Sequence, residues 1–458
     1  MRMKKTIYFL LFFCVVVLGY SQQKLTYSFA ENPQTLLLNP GAETNYRYHY
    51  GIPLLSGFNI SVGSTGVNLE DLFLDNGASF DSKFRVALES IQPEDYFSFN
   101  SRIDVLYGGY RLDDKNYLSF GFYQETDIIA YVPKDFIELF YHGNNRYLNR
   151  SFSLSQMIAK ADVLGVFHIG ISRKVTPRLN IGARAKIYSS SLNIETNHNS
   201  GTFTTFENDT NILRQTLNGV DALIKTSGLI ENGSITDNAS GLISRTFLGG
   251  NYGIGLDFGL TYHIAPEIEF TASVLDFGFI RHSKNTAQYS AKGDYTFDGI
   301  NFEYDPNNPR DYWQELENDF DSKVPTEENN EAYTSWRPFK INAAIKYSFG
   351  EIRKKACFTD TYKRYYFNSI GFQLHTVMRP LKPQLALTGF FETAFTEKIH
   401  SKITYTINDY SSMIFGSGMS MQLGKVNLFG FVDNLLGVRD FARANTISVN
   451  FGVNFVIE

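Results

Sequence analysis

The residues of this chain best suited to chemistry are its eight histidines, and their spacing does not favour a metal or catalytic centre. Two metal-binding histidines on one helix face usually lie four residues apart. No pair has that spacing among His49, His142, His168, His198, His263, His282, His375 and His400. His168, His263 and His375 fall among the polar residues of alternating segments, so we expect them to face the interior of the fold as solvated side chains.

Motifs for nucleophilic or phosphate chemistry do not occur either. Gly416-Ser417-Gly418 lacks the Gly-x-Ser-x-Gly spacing and the strand-to-helix context of a nucleophile elbow. The sequence contains no Walker loop, no Cys-x-x-Cys pair and no His-Glu-x-x-His helix. Cys357 is a lone thiol outside the leader, which is more often structural than reactive. The sequence therefore predicts a protein that is not an enzyme, with no catalytic residue, no metal and no cofactor.

Acidic residues cluster between positions 305 and 331. They are Asp305, Asp311, Glu315, Glu317, Asp319, Asp321, Glu327, Glu328 and Glu331. Tyr312, Leu316 and Phe320 share one face of a short helix here. The cluster is either a site for a divalent cation or a partner, or the solvated face of a loop helix, which we favour. Two more short helices are predicted, from Pro133 to Phe140 and near 81–90.

The chain alternates between apolar and polar residues over long segments, as β-strands with two different faces do. From Tyr252 to Ile264, seven apolar residues occupy every second position, and the same pattern runs through 179–187, 339–349 and 447–457. A soluble sandwich would turn the apolar row inward, whereas a membrane barrel would turn it toward lipid. The segments run to about 10–16 residues, against about 5–6 for typical soluble strands. We therefore predict an all-β fold, a transmembrane antiparallel β-barrel.

Residues 1–21 have the pattern of a secretory signal peptide. Three basic residues precede the apolar run 7–18, and the small residues Gly19 and Ser21 mark a cleavage site before Gln22. This run is too short for a membrane-spanning helix, which needs about 20 residues. The leader and the strands together predict the outer membrane of a Gram-negative bacterium. A net charge of -5 does not favour nucleic-acid binding.

Turn signals divide the chain into about 14 strands. They lie near 57–65, 95–111, 117–132, 160–174, 179–197, 252–264, 268–283, 337–349, 365–377, 384–396, 401–409, 412–423, 425–433 and 445–457. Tight turns alternate with long connections, as short periplasmic turns and long external loops do. A further strand at 44–52 would give an odd count, which cannot close antiparallel, and Pro53 interrupts pairing there. We therefore expect residues 22–56 to form a luminal segment, or hatch, and 57–458 to form the barrel.

Three short motifs resemble known outer-membrane barrels. Leu38-Asn39-Pro40-Gly41-Ala42 resembles the Asn-Pro-Ala segment that opens the long-chain fatty-acid transporter family. Segments 274–280 and 431–437 resemble a related, uncharacterised group from Gram-negative bacteria that use the type IX secretion system. The resemblance implies a fourteen-stranded barrel with a hatch at Asn39, Pro40 and Gly41, although the transporters carry alanine in place of Gly41. It implies no substrate.

The last strand carries a separate motif. Asn450, Gly452, Phe455 and Ile457 fit the spacing polar-x-Gly-x-x-aromatic-x-apolar. This resembles the C-terminal signal by which the barrel-assembly machinery recognises its clients, although an ordinary buried strand can match so short a pattern by chance. The expected partners are thus outer-membrane lipid and, during biogenesis, that machinery.

Two functions of different classes remain open. A channel or transporter for small hydrophobic or amphipathic solutes, which would bind a hydrophobic ligand, fits a large wall with a hatch. A structural or accessory barrel, bound to secretion-system or surface-protein partners, fits the long aromatic-rich loops. An integral-membrane enzyme and a soluble β protein fit less well. The sequence does not name a substrate or say whether the lumen is open.

Overall fold

A computed structural model describes residues 23–29, 32–196, 199–207, 213–231, 234–235, 239–299, 311–351, 366–440 and 442–457. The predicted signal peptide, His198, Asp305 and Cys357 lie outside these residues. The described strands are β1 (Tyr48–Gly51), β2 (Phe58–Ser64), β3 (Tyr96–Arg111), β4 (Asn116–Tyr131), β5 (Ser151–Ser153), β6 (Ala159–Thr176), β7 (Leu179–Thr196), β8 (Ser200–Phe206), β9 (Arg214–Ser227), β10 (Ile230–Glu231), β11 (Ser234–Ile235), β12 (Asn251–Ala265), β13 (Ile268–His282), β14 (Thr286–Phe297), β15 (Thr326–Asn329), β16 (Tyr333–Trp336), β17 (Lys340–Glu351), β18 (Tyr366–Val377), β19 (Gln384–Thr396), β20 (Ile399–Asn408), β21 (Ile414–Leu423), β22 (Val426–Asp433) and β23 (Thr446–Ile457).

Strand pairing closes the wall into a barrel with 14 strand positions in the described part of the chain. The order is β2, β3, β4, β6, β7, β12, β13, β17, β18, β19, β20, β21, β22 and β23, and β23 pairs back to β2. Every neighbouring pair is antiparallel. The predicted barrel and its strands are confirmed, because an alternating apolar row is a strong signal for a two-faced strand.

The two faces of the wall have the character of a membrane barrel and not of a soluble protein. Along β12, Tyr252 and Phe258 on the outer face are 50% and 48% exposed, whereas the inward-facing Asp257 and His263 are 0% and 2% exposed. An apolar outer surface over a polar interior is stable only against lipid. The long connections meet at one end, the loop end, and the tight turns at the other, the turn end.

The wall begins earlier than the turn signals predicted. β1 pairs with both β3 and β23, the same neighbours that β2 has, so β1 and β2 share one wall position. Residues 52–57 interrupt this strand because Pro53 has no N–H to donate and Leu54 takes a positive φ of 65°. The expected boundary between hatch and barrel after residue 56 is therefore wrong, and pairing starts at Tyr48.

The external connections carry short helices and an added β layer. The described helices in these connections are Leu69–Phe73, Phe80–Ser90, Lys134–His142, Ala239–Ser244, the π turn Arg245–Gly249, Tyr312–Lys323 and Leu435–Arg439, and two more, the 3₁₀ turn Gln23–Thr26 and Thr35–Leu38, precede the wall. The three predicted loop helices are among them. β8, β9, β14 and β15 form an added layer outside the wall, joined to the loop end of β7 through β9, where only loops were expected. No helix in the described ranges is long and apolar enough to cross a membrane.

Candidate functional site

Residues 25–46 run through the barrel interior, and their described side chains are almost all buried. They contain one helical turn, Thr35–Leu38. Asn32 stabilises the start of this turn, because its Oδ1 accepts a hydrogen bond from the backbone N–H of Gln34 at 3.1 Å. Pro33 also favours a helix here, since its ring fixes φ near the helical value. So short a helix is not stable alone, so contacts with the wall must hold it. We call residues 25–46 the luminal segment.

The apolar side chains of the luminal segment find apolar partners on an otherwise polar inner wall. Three clusters form: Leu36 with Tyr117 and Val456; Leu25 and Phe29 with Phe429 and Phe431; and Tyr27 and Leu38 with Leu275 and Ala344. The rings of Phe29 and Phe431 meet edge to face at 5.3 Å. Burying one large apolar side chain contributes about 1.5–3 kcal/mol, so the segment is a built-in part of the interior.

The predicted hatch residues lie where the luminal segment touches β7 and β12. Asn39 donates from Nδ2 to a β12 carbonyl at 3.1 Å, and its Oδ1 accepts from the N–H of Gly41 at 2.9 Å. The backbone of Gly41 packs on that of Gly259, and Pro40 packs on Gly182. A Cβ on Gly41 would overlap backbone atoms of β12. This contact explains why glycine stands where the resembling transporters have alanine.

Arg184 ties the helical turn to the wall. Its guanidinium donates to the carbonyls of Leu36 and Leu37, the latter at 3.1 Å, and pairs with Asp257 at 3.0 Å. Ser273 donates from Oγ to the next carbonyl of the segment at 2.7 Å. Carbonyls at the end of a helix lack partners within it, and here the wall supplies the donors.

The opposite side of the luminal segment is attached to the interrupted first strand and to β23. Gln34 donates to the carbonyl of Ser56 and exchanges hydrogen bonds with Asn454 at 3.1 and 2.9 Å. Tyr107 donates from its hydroxyl to the carbonyl of Pro33 at 2.8 Å. The segment is therefore fixed on both sides by hydrogen bonds, in addition to its three apolar clusters.

Toward the loop end, ion pairs cross the lumen. Arg379 forms two hydrogen bonds with Asp127, at 2.7 and 2.9 Å, from nearly the opposite side of the barrel. Arg337 bridges Glu125 of β4 and Asp162 of β6, with both ion pairs at 3.1 Å. All these side chains are at most 7% exposed. The lumen is therefore closed by side chains as well as by the luminal segment.

A second group of contacts joins the Arg337 pairs to the Arg184 pair, and we group the Arg379–Asp127 pair with them because Arg379 and Lys340 line one cavity. Lys340 pairs with Glu125 at 3.1 Å and with Asp276 at 2.9 Å, and Lys186 pairs with Asp276 at 2.6 Å. The members are Arg184, Lys186, Arg337, Lys340 and Arg379 with Glu125, Asp127, Asp162, Asp257 and Asp276. Five basic and five acidic groups balance, as buried charges must. We call this set the luminal ion-pair network.

A cavity lies at each end of the barrel. The loop-end cavity, of about 90 Å³, is lined mainly by hydroxyl and amide side chains, together with Lys340 and Arg379 of the network. The turn-end cavity, of about 50 Å³, is lined by Phe29 of the luminal segment and by charged groups that include Glu269 and Lys346. The luminal segment and the ion-pair network thus separate two polar spaces.

The histidines predicted to face the interior do so; His168 is packed, whereas His263 and His375 line the turn-end and loop-end cavities. His168 lies against the rings of Tyr107 and Tyr123. His375 shares a hydrogen bond of 2.7 Å with an amide of the wall, and His263 shares one of 3.1 Å with Glu43. The expectation of a solvated side chain is therefore wrong for His168, which is 6% exposed.

The acidic loop folds as the favoured interpretation expected. Asp311 caps the helix Tyr312–Lys323 by accepting backbone hydrogen bonds at 3.1 and 3.2 Å. Leu316 and Phe320 pack on the external β layer, where Phe320 meets Tyr295 at 5.0 Å between ring centroids. In the described part of this loop the acids gather into no metal-binding group.

The four residues of the C-terminal motif lie in β23 with alternate orientation. Asn450 and Gly452 face the interior, and Asn450 donates from Nδ2 to Thr26 of the luminal segment at 2.9 Å. Phe455 and Ile457 face outward, and Phe455 stacks on Tyr50 at 5.0 Å. Recognition of this motif by the assembly machinery stays a prediction.

Solved structures similar to this chain include a toluene transporter and a FadL homologue. The toluene transporter TodX of Pseudomonas putida is 9% identical over 95% of this chain and 96% of its own, with a TM-score of 0.39. A FadL homologue of Pseudomonas aeruginosa is 8% identical over 96% and 100%, with a TM-score of 0.45. These values are too low to argue for a shared function. No curated protein matches the chain.

A family of proteins does match the sequence. Its description is family of unknown function, DUF5723, and the match runs over residues 40–433. It therefore includes most of the barrel wall and the hatch residues Pro40 and Gly41. Because this match covers well over half of the chain, the protein belongs to the family DUF5723.

Proposed function

We propose that the protein is a gated channel in the outer membrane of a Gram-negative bacterium, with the luminal segment as its hatch. The observation that carries this proposal is the pair of cavities at the two ends of one closed lumen. A purely structural barrel has no need of polar spaces on both sides of a plug. Opening would exchange the plug's hydrogen bonds for water and separate its apolar clusters from the wall, but it would break no strand pairing.

The solutes we propose are small and amphipathic. Asn59, Ser98, Tyr96 and Tyr410 give the loop-end cavity hydroxyl, amide and aromatic surface, and its two cations are already paired with carboxylates. Such a lining favours a molecule with hydrogen-bonding groups on a small apolar body. It favours a purely hydrophobic solute less. Of the two solute classes expected from the sequence, hydrophobic and amphipathic, we therefore propose the amphipathic one.

Release of the luminal segment tests the proposal. Asn39→Ala and Arg184→Met remove wall contacts of the segment and should raise the conductance and solute permeability of barrels reconstituted in lipid vesicles. Asn76→Ala, in an external loop, is the matched control, and its permeability should equal that of wild type. If both hatch variants fold, as judged by heat-modifiable gel migration, and stay as impermeable as the control, the channel proposal fails.

An accessory barrel remains a second candidate because the external helices expose aromatic rings. Phe140 is 86% exposed and Phe73 is 67% exposed. Ring contacts run from Phe73 through Phe80 and Phe84 to Tyr141, at 4.9–6.1 Å between centroids. Exposed apolar patches often mark protein interfaces. Membrane cross-linking should then capture a stoichiometric protein partner that the change Phe140→Ser removes; a barrel captured alone would count against this candidate.

The bacterial setting belongs to these proposals. The apolar outer face supports outer-membrane lipid as the immediate surroundings. An origin among bacteria that use type IX secretion rests on the sequence resemblance alone. The accessory candidate needs that origin, whereas the channel does not.

A further inference from the structure

We propose that Glu43, His263 and Glu269 form a binding site for a divalent transition-metal ion, with zinc as the best-suited metal. One donor atom from each residue lies within 4.8 Å of the other two. Glu43 belongs to the luminal segment, His263 to the end of β12 and Glu269 to the start of β13. The fold thus joins Glu43 to two donors that lie more than two hundred residues later in the chain.

The distance between two of the donor atoms suits a metal. His263 Nε2 and Glu43 Oε1 are 3.1 Å apart. Zinc bonds of about 2.0–2.2 Å in a tetrahedral site place neighbouring donor atoms about 3.3–3.6 Å apart. One imidazole and two carboxylates form a donor set that zinc accepts, and they leave a fourth position for water.

The burial of the Glu43 side chain is a second, independent observation that favours a bound cation. This side chain is only 9% exposed, and its Oε2 atom has no hydrogen-bond partner among the described residues. Leaving a buried carboxylate oxygen without a partner is unfavourable. A cation beside this oxygen would remove that cost.

The net charge of the groups around the site is compatible with a bound dication. Lys346 lies 3.1 Å from Oε1 of Glu269, and Ser28 donates to the same oxygen at 3.0 Å. Lys346 neutralises one of the two carboxylates, so the group keeps a net negative charge when the imidazole is neutral. His263, Glu269 and Lys346 line the turn-end cavity, which gives an ion a route from that side.

A bound ion would connect the luminal segment to the wall. Displacing the segment would then require breaking a metal–carboxylate bond at Glu43 as well as the hydrogen bonds described above. This inference goes beyond the proposed channel, because metal binding can be measured whether or not any solute passes.

The experiment measures zinc on the purified full-length mature barrel in detergent, with Cys357→Ser as the background to remove the lone thiol. Equilibrium dialysis with zinc should load about one ion per barrel. Glu43→Gln and His263→Gln should each weaken zinc binding more than about tenfold. Glu267→Gln and His400→Gln change the same residue types in the same cavity outside the three donors, and they should bind zinc as the background does.

A second readout separates a metal site from a change in folding. Zinc should slow hydrogen exchange in residues 32–46 of the background protein and leave exchange in the His263→Gln protein unchanged. Heat-modifiable gel migration verifies that every variant is a folded barrel. The proposal is overturned if the folded background barrel binds no zinc, or if the donor and control variants bind it equally.

Discussion

Gly41 has no space for a side chain because the backbone of β12 lies against it. An added methyl group in a packed interior costs about 1–3 kcal/mol, so Gly41→Ala should lower the denaturant midpoint for unfolding in detergent. Gly430→Ala is the control, since nothing lies within 4 Å of a Cβ built there. Equal midpoints for the two variants would contradict the backbone contact between segment and wall.

Replacing Arg337 tests whether the luminal ion-pair network stabilises the fold. The Arg337 side chain is 1% exposed, and Arg337→Met would leave Glu125 and Asp162 short of a buried cation. Breaking a buried pair typically costs about 3–5 kcal/mol. Arg214→Met is the matched control, because its pair with Asp298 is about half exposed and such pairs contribute at most about 1 kcal/mol. Similar losses in unfolding free energy would refute a buried network.

Among the elements, the wall strands were predictable and the interrupted strand was not. Alternation of apolar and polar residues over ten or more positions identifies a strand, even when the neighbouring strands are unknown. Pro53 and Leu54 break the first strand, and a strand that resumes after a break reads in sequence as a separate element. β8 and β9 were missed because their burial does not alternate in the same way, since neither belongs to the lipid-facing wall.

The last strand allows a prediction about assembly. Phe451 and Phe455 both face outward from β23, and each contacts a ring of the first wall position, at 5.2 and 5.0 Å. Their packing is thus similar, but only Phe455 belongs to the C-terminal motif. Phe455→Ala should reduce the assembled, heat-modifiable barrel in outer membranes severalfold, and Phe451→Ala should reduce it less. Equal reductions on immunoblots would assign both effects to packing.

At the scale of the whole molecule, the sequence predicts a polar interior but not its contacts. Lys186 and Asp276 are 90 residues apart, and Arg337 and Asp162 are 175 apart. Alternation tells which face a residue occupies, and it says nothing about its height in the barrel or the strand that faces it. The strand count left residues 44–52 out of the wall, which is wrong for Tyr48–Gly51, and the anchor Arg184 of the luminal segment could be found only in three dimensions.

The membrane setting itself predicts how a charge on the outer face acts at different depths. Phe258 lies midway along β12 and Tyr252 near its loop end, yet they are almost equally exposed, at 48% and 50%. In lipid, lysine costs about 2–4 kcal/mol at mid-depth and about 0–1 kcal/mol near the interface. Phe258→Lys should therefore lower the unfolding free energy in lipid vesicles far more than Tyr252→Lys. In water the two positions would respond alike, so small and equal losses would mean that this face does not meet lipid.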